Sequence, residues 1–281
     1  MSPSPSVARF VLATRFAAVE QVRNQFAMAL VILFVPLWIS LGQFMIVDVR
    51  VSFRLWATGQ NLIAAGNELT QISGALNAVT LIVGFAMFSA TFSSGTFDRR
   101  LAMAGYPRPQ LLLAKVASLI LASAVVSGYA TAVMCVYWSP RQPGVLALSL
   151  FSAAMTYGTV GVVLGTVVRR ELEGTFLIVM ISVIDLALQN PIASKGAGSA
   201  MVRLLPSYGA MQSASAAGFS HSVLLSCLGV QLAWFTGAAA LSLLAFRWRT
   251  RSAVTGQSPP PTQGAPCSLP TARGPESTIR N

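Results

Sequence analysis

Asp185 is the residue of this sequence best placed to do chemistry. It interrupts an apolar run from Gly174 to Asn190 and shares a helical face with Ser182 and Gln189, spaced i, i+3 and i+7. A charge inside a bilayer costs at least about 2.5–3.5 kcal/mol to insert, so this face must look into protein or into a cavity. Two roles fit it: a hydrogen-bonded structural acid, or part of the lining of a transport pathway. The second candidate is a dense cluster, Asp98, Arg99, Arg100 and Leu101, followed by Pro107 and Arg108. It suits docking to a soluble partner, and it equally suits an ordinary basic loop. Other chemistries lack their residues. No glycine-rich phosphate loop ending in Lys-Ser or Lys-Thr is present, so ATP is not bound in that manner. One histidine, His221, gives little support to histidine-based metal sites or Ser–His hydrolysis and reads as a surface residue. Cys135, Cys227 and Cys267 follow no metal or disulfide spacing, and the first two read as small buried apolar residues. No catalytic residue, metal or cofactor of its own is expected, and the chain is not expected to be an enzyme.

The elements that hold these residues follow from where charge is missing. Only 10% of the 281 residues are charged, against about 25% in soluble domains. Six uncharged or nearly uncharged runs can cross an apolar layer of about 30 Å: 26–47, 72–94, 115–138, 145–168, 174–190 and 223–246. The fifth is short and contains the acid. A net charge of +11 would suggest nucleic acid on a soluble domain. Here 14 of the 19 basic residues fall on the side that holds both termini if six spans are drawn. The positive-inside rule then puts both termini in the cytoplasm and removes the case for nucleic acid. The first run is too long for a signal peptide.

Residues 5–25 alternate apolar and charged positions at helical spacing and read as an interfacial helix on the cytoplasmic face. Residues 48–71 read as a polar outer loop. Pro191 to Ser222 is too apolar for a free loop and too broken for a span, so a re-entrant helical hairpin is expected there. The chain divides into a membrane domain, 1–251, and a Pro-, Gly-, Ser- and Thr-rich tail, 252–281, expected to be disordered. Gly158, Gly161 and Gly165, and Ser89 with Ser93, form small-residue faces suited to close packing within the subunit. Between the second and third spans, Thr96 can cap a short helix, with Asp98 in its first turn and Gly105 and Pro107 at its end.

This order of elements resembles the membrane subunit of an ABC transporter of the type-2 exporter family. In that family a cytoplasmic coupling helix carries an acid beside arginines and a leucine, then a proline, then a Leu-rich stretch ending in Lys. Asp98, Arg99, Arg100, Leu101, Pro107, Arg108, Leu112, Leu113 and Lys115 match that arrangement, with Asp98 where glutamate is more usual. Leu205, Pro206, Ser207 and Tyr208 match a Leu-Pro-x-Tyr stretch before the last span. The resemblance covers about residues 7–250, and the tail has no counterpart.

The resemblance implies an all-α polytopic membrane protein with six transmembrane helices, an N-terminal interfacial helix, a coupling helix and a re-entrant pair before the last span. It implies a plasma-membrane permease that pairs with a second permease copy or a sister subunit. A separate P-loop ATPase binds the ATP and grips the segment Asp98 to Arg108. The substrate is a small molecule moved outward, a drug or antibiotic first, with lipid or glycan export behind it; Ser182, Asp185 and Gln189 are the candidate pathway residues. The main alternative is a proton-coupled secondary transporter using Asp185, and a non-transporting membrane scaffold is a further one.

Overall fold

The computed structural model describes residues 28–46, 49–103, 108–189, 200–221 and 225–255. The expected interfacial helix at 5–25 and the tail from 256 onward lie outside the described residues. The chain is mostly helical. A π-helical turn, Leu30–Phe34, runs directly into α1, Val35–Met45. The widened turn sits just before Pro36, whose ring crowds the carbonyl four residues back and offers no N–H. Then come β1 (Arg50–Leu55), β2 (Gln60–Ala65), α2 (Gly66–Met103), α3 (Arg108–Tyr137), α4 (Pro143–Val167), α5 (Glu171–Gln189), α6 (Ala200–Arg203), α7 (Tyr208–Phe219) and α8 (Leu225–Thr255).

Four stretches are long and apolar enough to cross a membrane: Gly66–Ser94 of α2, Lys115–Tyr137 of α3, Pro143–Val167 of α4 and Leu225–Ala245 of α8. Leu30–Met45 is a shorter apolar helix. These features are those of a membrane protein. The four stretches overlay four of the six expected spans within a few residues. The expected first and fifth spans correspond to Leu30–Met45 and to α5, which carries Glu171, Glu173 and Asp185.

Two expectations are refined. The mostly helical fold is as expected, but the expected outer loop at 48–71 contains an antiparallel hairpin with Arg50 opposite Ala65 and Leu55 opposite Gln60. Its cause is period-two alternation. Phe53 and Leu55 turn inward with Ala64, while Arg50, Ser52 and Arg54 face outward. The turn closes at Gly59, whose φ of +71° suits glycine. The second refinement concerns the coupling helix. Thr96 starts no separate helix, since α2 runs unbroken from Gly66 to Met103. Gly95 is the weakest helix former near the cluster, and a single glycine costs a helix only about 1 kcal/mol. Gly105 and Pro107, the expected end of that helix, lie outside the described residues.

α4 is the centre of the bundle, in contact with α2, α3, α5, α7 and α8. Small side chains put it there. A Cβ on Gly161 would lie 2.2 Å from the Gly84 carbonyl oxygen of α2, and one on Gly158 would lie 2.1 Å from Leu119 of α3. The small-residue face of α4 therefore packs within the subunit, as expected. Its hydroxyls bond back to the helix itself: Ser149 to the Val145 carbonyl, Thr156 to Ser152 and Thr159 to Met155. That satisfies them without water. Cys227 is buried as expected, whereas Cys135 is exposed on the outward face of α3, where a small apolar residue can meet lipid.

We expect Gly161→Ala to lower the stability of the detergent-solubilised protein by about 1–3 kcal/mol, as overpacking does. Gly237→Ala, with nothing within 4 Å of the added methyl, should leave it nearly unchanged. Thermal unfolding of the two variants beside the parent checks this.

Candidate functional site

α7 has only twelve residues, and eleven of them, Tyr208 to Gly218, are buried. At 1.5 Å per residue it spans about 18 Å, too short to cross an apolar layer of about 30 Å. Each end of such a helix leaves backbone groups without intrahelical partners. Here the rest of the chain supplies those partners. At the carboxyl end, the turn between α3 and α4 donates Arg141 N–H to the Gly218 carbonyl at 3.2 Å and Gln142 N–H to Ala217 at 2.9 Å. The Gln142 amide adds a bond to the Ser220 carbonyl at 3.1 Å. At the amino end, Asp185 Oδ2 accepts the Ser207 N–H at 3.1 Å, and Gln231 Oε1 of α8 accepts the Ala210 N–H at 3.2 Å.

Asp185 is therefore the distant cap of a buried helix. It is 2% exposed. Tyr157 of α4 donates its hydroxyl to Oδ2, and Gln189, one turn on along α5, donates its amide to Oδ1. The same Gln189 nitrogen donates to Ser207 Oγ at 2.9 Å. The carboxyl group is thus an acceptor in three bonds, at the positive end of a helix dipole, where negative charge is favoured. One side chain fastens α4, α5 and the entry to α7.

Ser182, Asp185 and Gln189 share one inward face of α5, as their spacing predicted, and all three are buried. They belong to two hydrogen-bond groups. Ser182 Oγ lies 2.9 Å from Thr80 Oγ1 and donates to Asn77 Oδ1 over 3.3 Å, tying α5 to α2. Asp185 and Gln189 serve α7. A separate cleft of about 320 Å³ opens between α1, α2 and α5, lined mainly by apolar groups including Trp38, Leu41, Met45, Val183 and Leu186. None of the three predicted pathway residues lines it. Asn77, the acceptor for Ser182, does.

A matching clasp on α8 escaped the sequence reading. Gln231 Nε2 donates to Thr156 Oγ1 at 2.7 Å while its oxygen caps α7. The signal was available. Gln231 is the only side-chain amide in the apolar part of α8, and Tyr157 the only tyrosine in α4. Strongly polar groups inside such helices seek partners.

The coupling candidates sit elsewhere. Asp98, Arg99, Arg100 and Leu101 occupy the last turns of α2, and Arg108 begins α3. Pro107 lies outside the described residues. At this end Lys115 Nζ donates to Ser94 Oγ at 3.1 Å, joining α3 to α2. His221 is exposed, as expected of a residue in a polar turn. No protein-family model matches the chain, and no curated protein is significantly similar to it.

Asp185→Asn replaces one accepting oxygen by a donor that faces other donors, so it should cost about 1–3 kcal/mol. Tyr157→Phe should cost a similar amount. Because both act on one carboxyl group, the double variant should lose clearly less than the sum of the two. Unfolding midpoints of the four proteins close the cycle.

Proposed function

We propose that the chain is the membrane subunit of an ATP-driven exporter resembling the type-2 ABC exporters, with ATP bound and hydrolysed by a partner. The observation that carries this reading is α7. A fully buried half-length helix, entered through a Leu-Pro-Ser-Tyr turn and followed by the last long apolar helix, is what the resemblance implies for the re-entrant pair.

Two further features support it. The hairpin, the α3–α4 turn and the carboxyl end of α7 gather at one end of the bundle. The opposite end carries the basic residues Arg99, Arg100, Arg108, Arg169 and Arg170. The positive-inside rule makes that the cytoplasmic face and the hairpin end the outer one, with both chain termini inside. In this reading Leu30–Met45 and α5 complete six spans. The cleft between α1, α2 and α5 has the size and apolar character of a site for a small amphipathic compound such as a drug or antibiotic. A second permease copy faces it across the bilayer plane and completes the pathway.

The coupling element is the cytoplasmic end of α2 with the start of α3. As a rigid continuation of a membrane helix, it would pass a partner's motion straight into α2, which packs on α4. Asp98, Arg99, Arg100, Leu101, Pro107 and Arg108 are assigned to that contact.

Affinity purification from native membranes, read by mass spectrometry, tests this directly. A P-loop ATPase should copurify, and proteoliposomes holding both should hydrolyse ATP and accumulate substrate. Reversing the cluster with Asp98→Lys, Arg99→Glu and Arg100→Glu should abolish copurification while leaving the variant folded and monodisperse. Transport that needs no ATPase but collapses with the proton gradient would instead favour the secondary transporter built on Asp185.

A further inference from the structure

Beneath the hairpin lies a small, partly open space lined by Phe53, Arg54, Leu55 and Trp56 of the hairpin and by Gln189, Met211, Gln212 and Ser215. About 10 Å³ of it is open to the centre of a water-sized sphere. That is close to the minimum needed for one water molecule, about 10–15 Å³, and too little for anything larger. Two buried amides border it, Gln189 at 3% and Gln212 at 9% exposure. The Oε1 atom of each has no hydrogen-bond partner among the described residues. An unpaired buried carbonyl-type oxygen is costly, so two beside one cavity call for a donor.

We infer that this space is a binding site for a single structural water that joins Gln212 of α7 to the Asp185 network beneath the hairpin. The direction of the Gln189 amide follows from its bonds. Its nitrogen is committed to Asp185 and Ser207, which turns its oxygen away from them. Water is the ligand whose chemistry fits, because it has two hydrogens to give to two acceptor oxygens. The Arg54 side chain lies over the Trp56 ring on the outward face of the hairpin, 5.0 Å from its centroid. A metal cation fits poorly, since the lining offers two amide oxygens and no carboxylate. The water completes a chain from Gln212 of α7, through Gln189, to Asp185 and the amino end of the same helix.

Hydroxyl-radical footprinting by a brief X-ray pulse, on the full chain in lipid nanodiscs, tests this. Radicals form from the bound water itself and oxidise a thioether beside it. Met211 lines the site although it is 1% exposed, while Met87 and Met134 are as deeply buried and lie elsewhere. We expect Met211 to be oxidised far faster than Met87 and Met134. Gln212→Leu, which removes one acceptor and fills the space, should reduce Met211 to their level. If Met211 in the parent protein is as inert as Met87 and Met134, the site is dry and the inference fails. Should Gln212→Leu not fold, the contrast within the parent protein decides alone. If Gln212→Leu folds and Met211 keeps its full reactivity, the water is not held by Gln212 and the inference equally fails.

Discussion

A helix that enters an apolar bundle without crossing it must find partners for both of its ends. That constraint organises this molecule. Water cannot serve the backbone groups at the ends of α7, so side chains and turns from other elements do. Asp185 and Gln231 take the amino end, and Arg141 and Gln142 take the carboxyl end. The acid that is costly in a membrane is placed where its oxygens accept from three donors at the amino end of α7.

The close packing follows from the same need. Side-chain caps reach α7 only if α4, α5 and α8 stand near it, and small residues allow that approach. A Cβ on Gly209 would lie 2.2 Å from the Cys227 carbonyl oxygen, so α7 rests directly on α8. Phe53 of the hairpin meets the Phe219 ring edge-on at 5.8 Å, and Trp138 stacks on the other side of it at 5.4 Å. The carboxyl end of α7 is thereby covered by aromatic rings, while its amino end is fixed by polar groups.

Much of this was legible from residue order. Charge-free runs located the four long apolar stretches to within a few residues, because inserting a charge outweighs any local preference. The spacing of Ser182, Asp185 and Gln189 placed them on one inward face. Their partners were not legible. Tyr157 and Ser207 lie 28 and 22 residues from Asp185, and no local pattern links them to it. The hairpin was hidden because its outward residues include arginines, which made a short alternating segment look like a polar loop. The coupling segment misled differently. Thr96 has the chemistry of a cap, yet a helix already in progress continues past it, since extending a helix costs far less than nucleating one. That continuity joins Asp98 to the membrane part of α2 in one helix.

The account rests on Asp185 acting as the remote cap of α7. Hydrogen–deuterium exchange of the full chain in nanodiscs, comparing the parent with Asp185→Ala, measures this most directly. Loss of the cap should speed exchange across Ser207 to Met211 while α4 keeps its protection. Unchanged protection at Ser207 to Met211 in a folded Asp185→Ala protein would contradict the account.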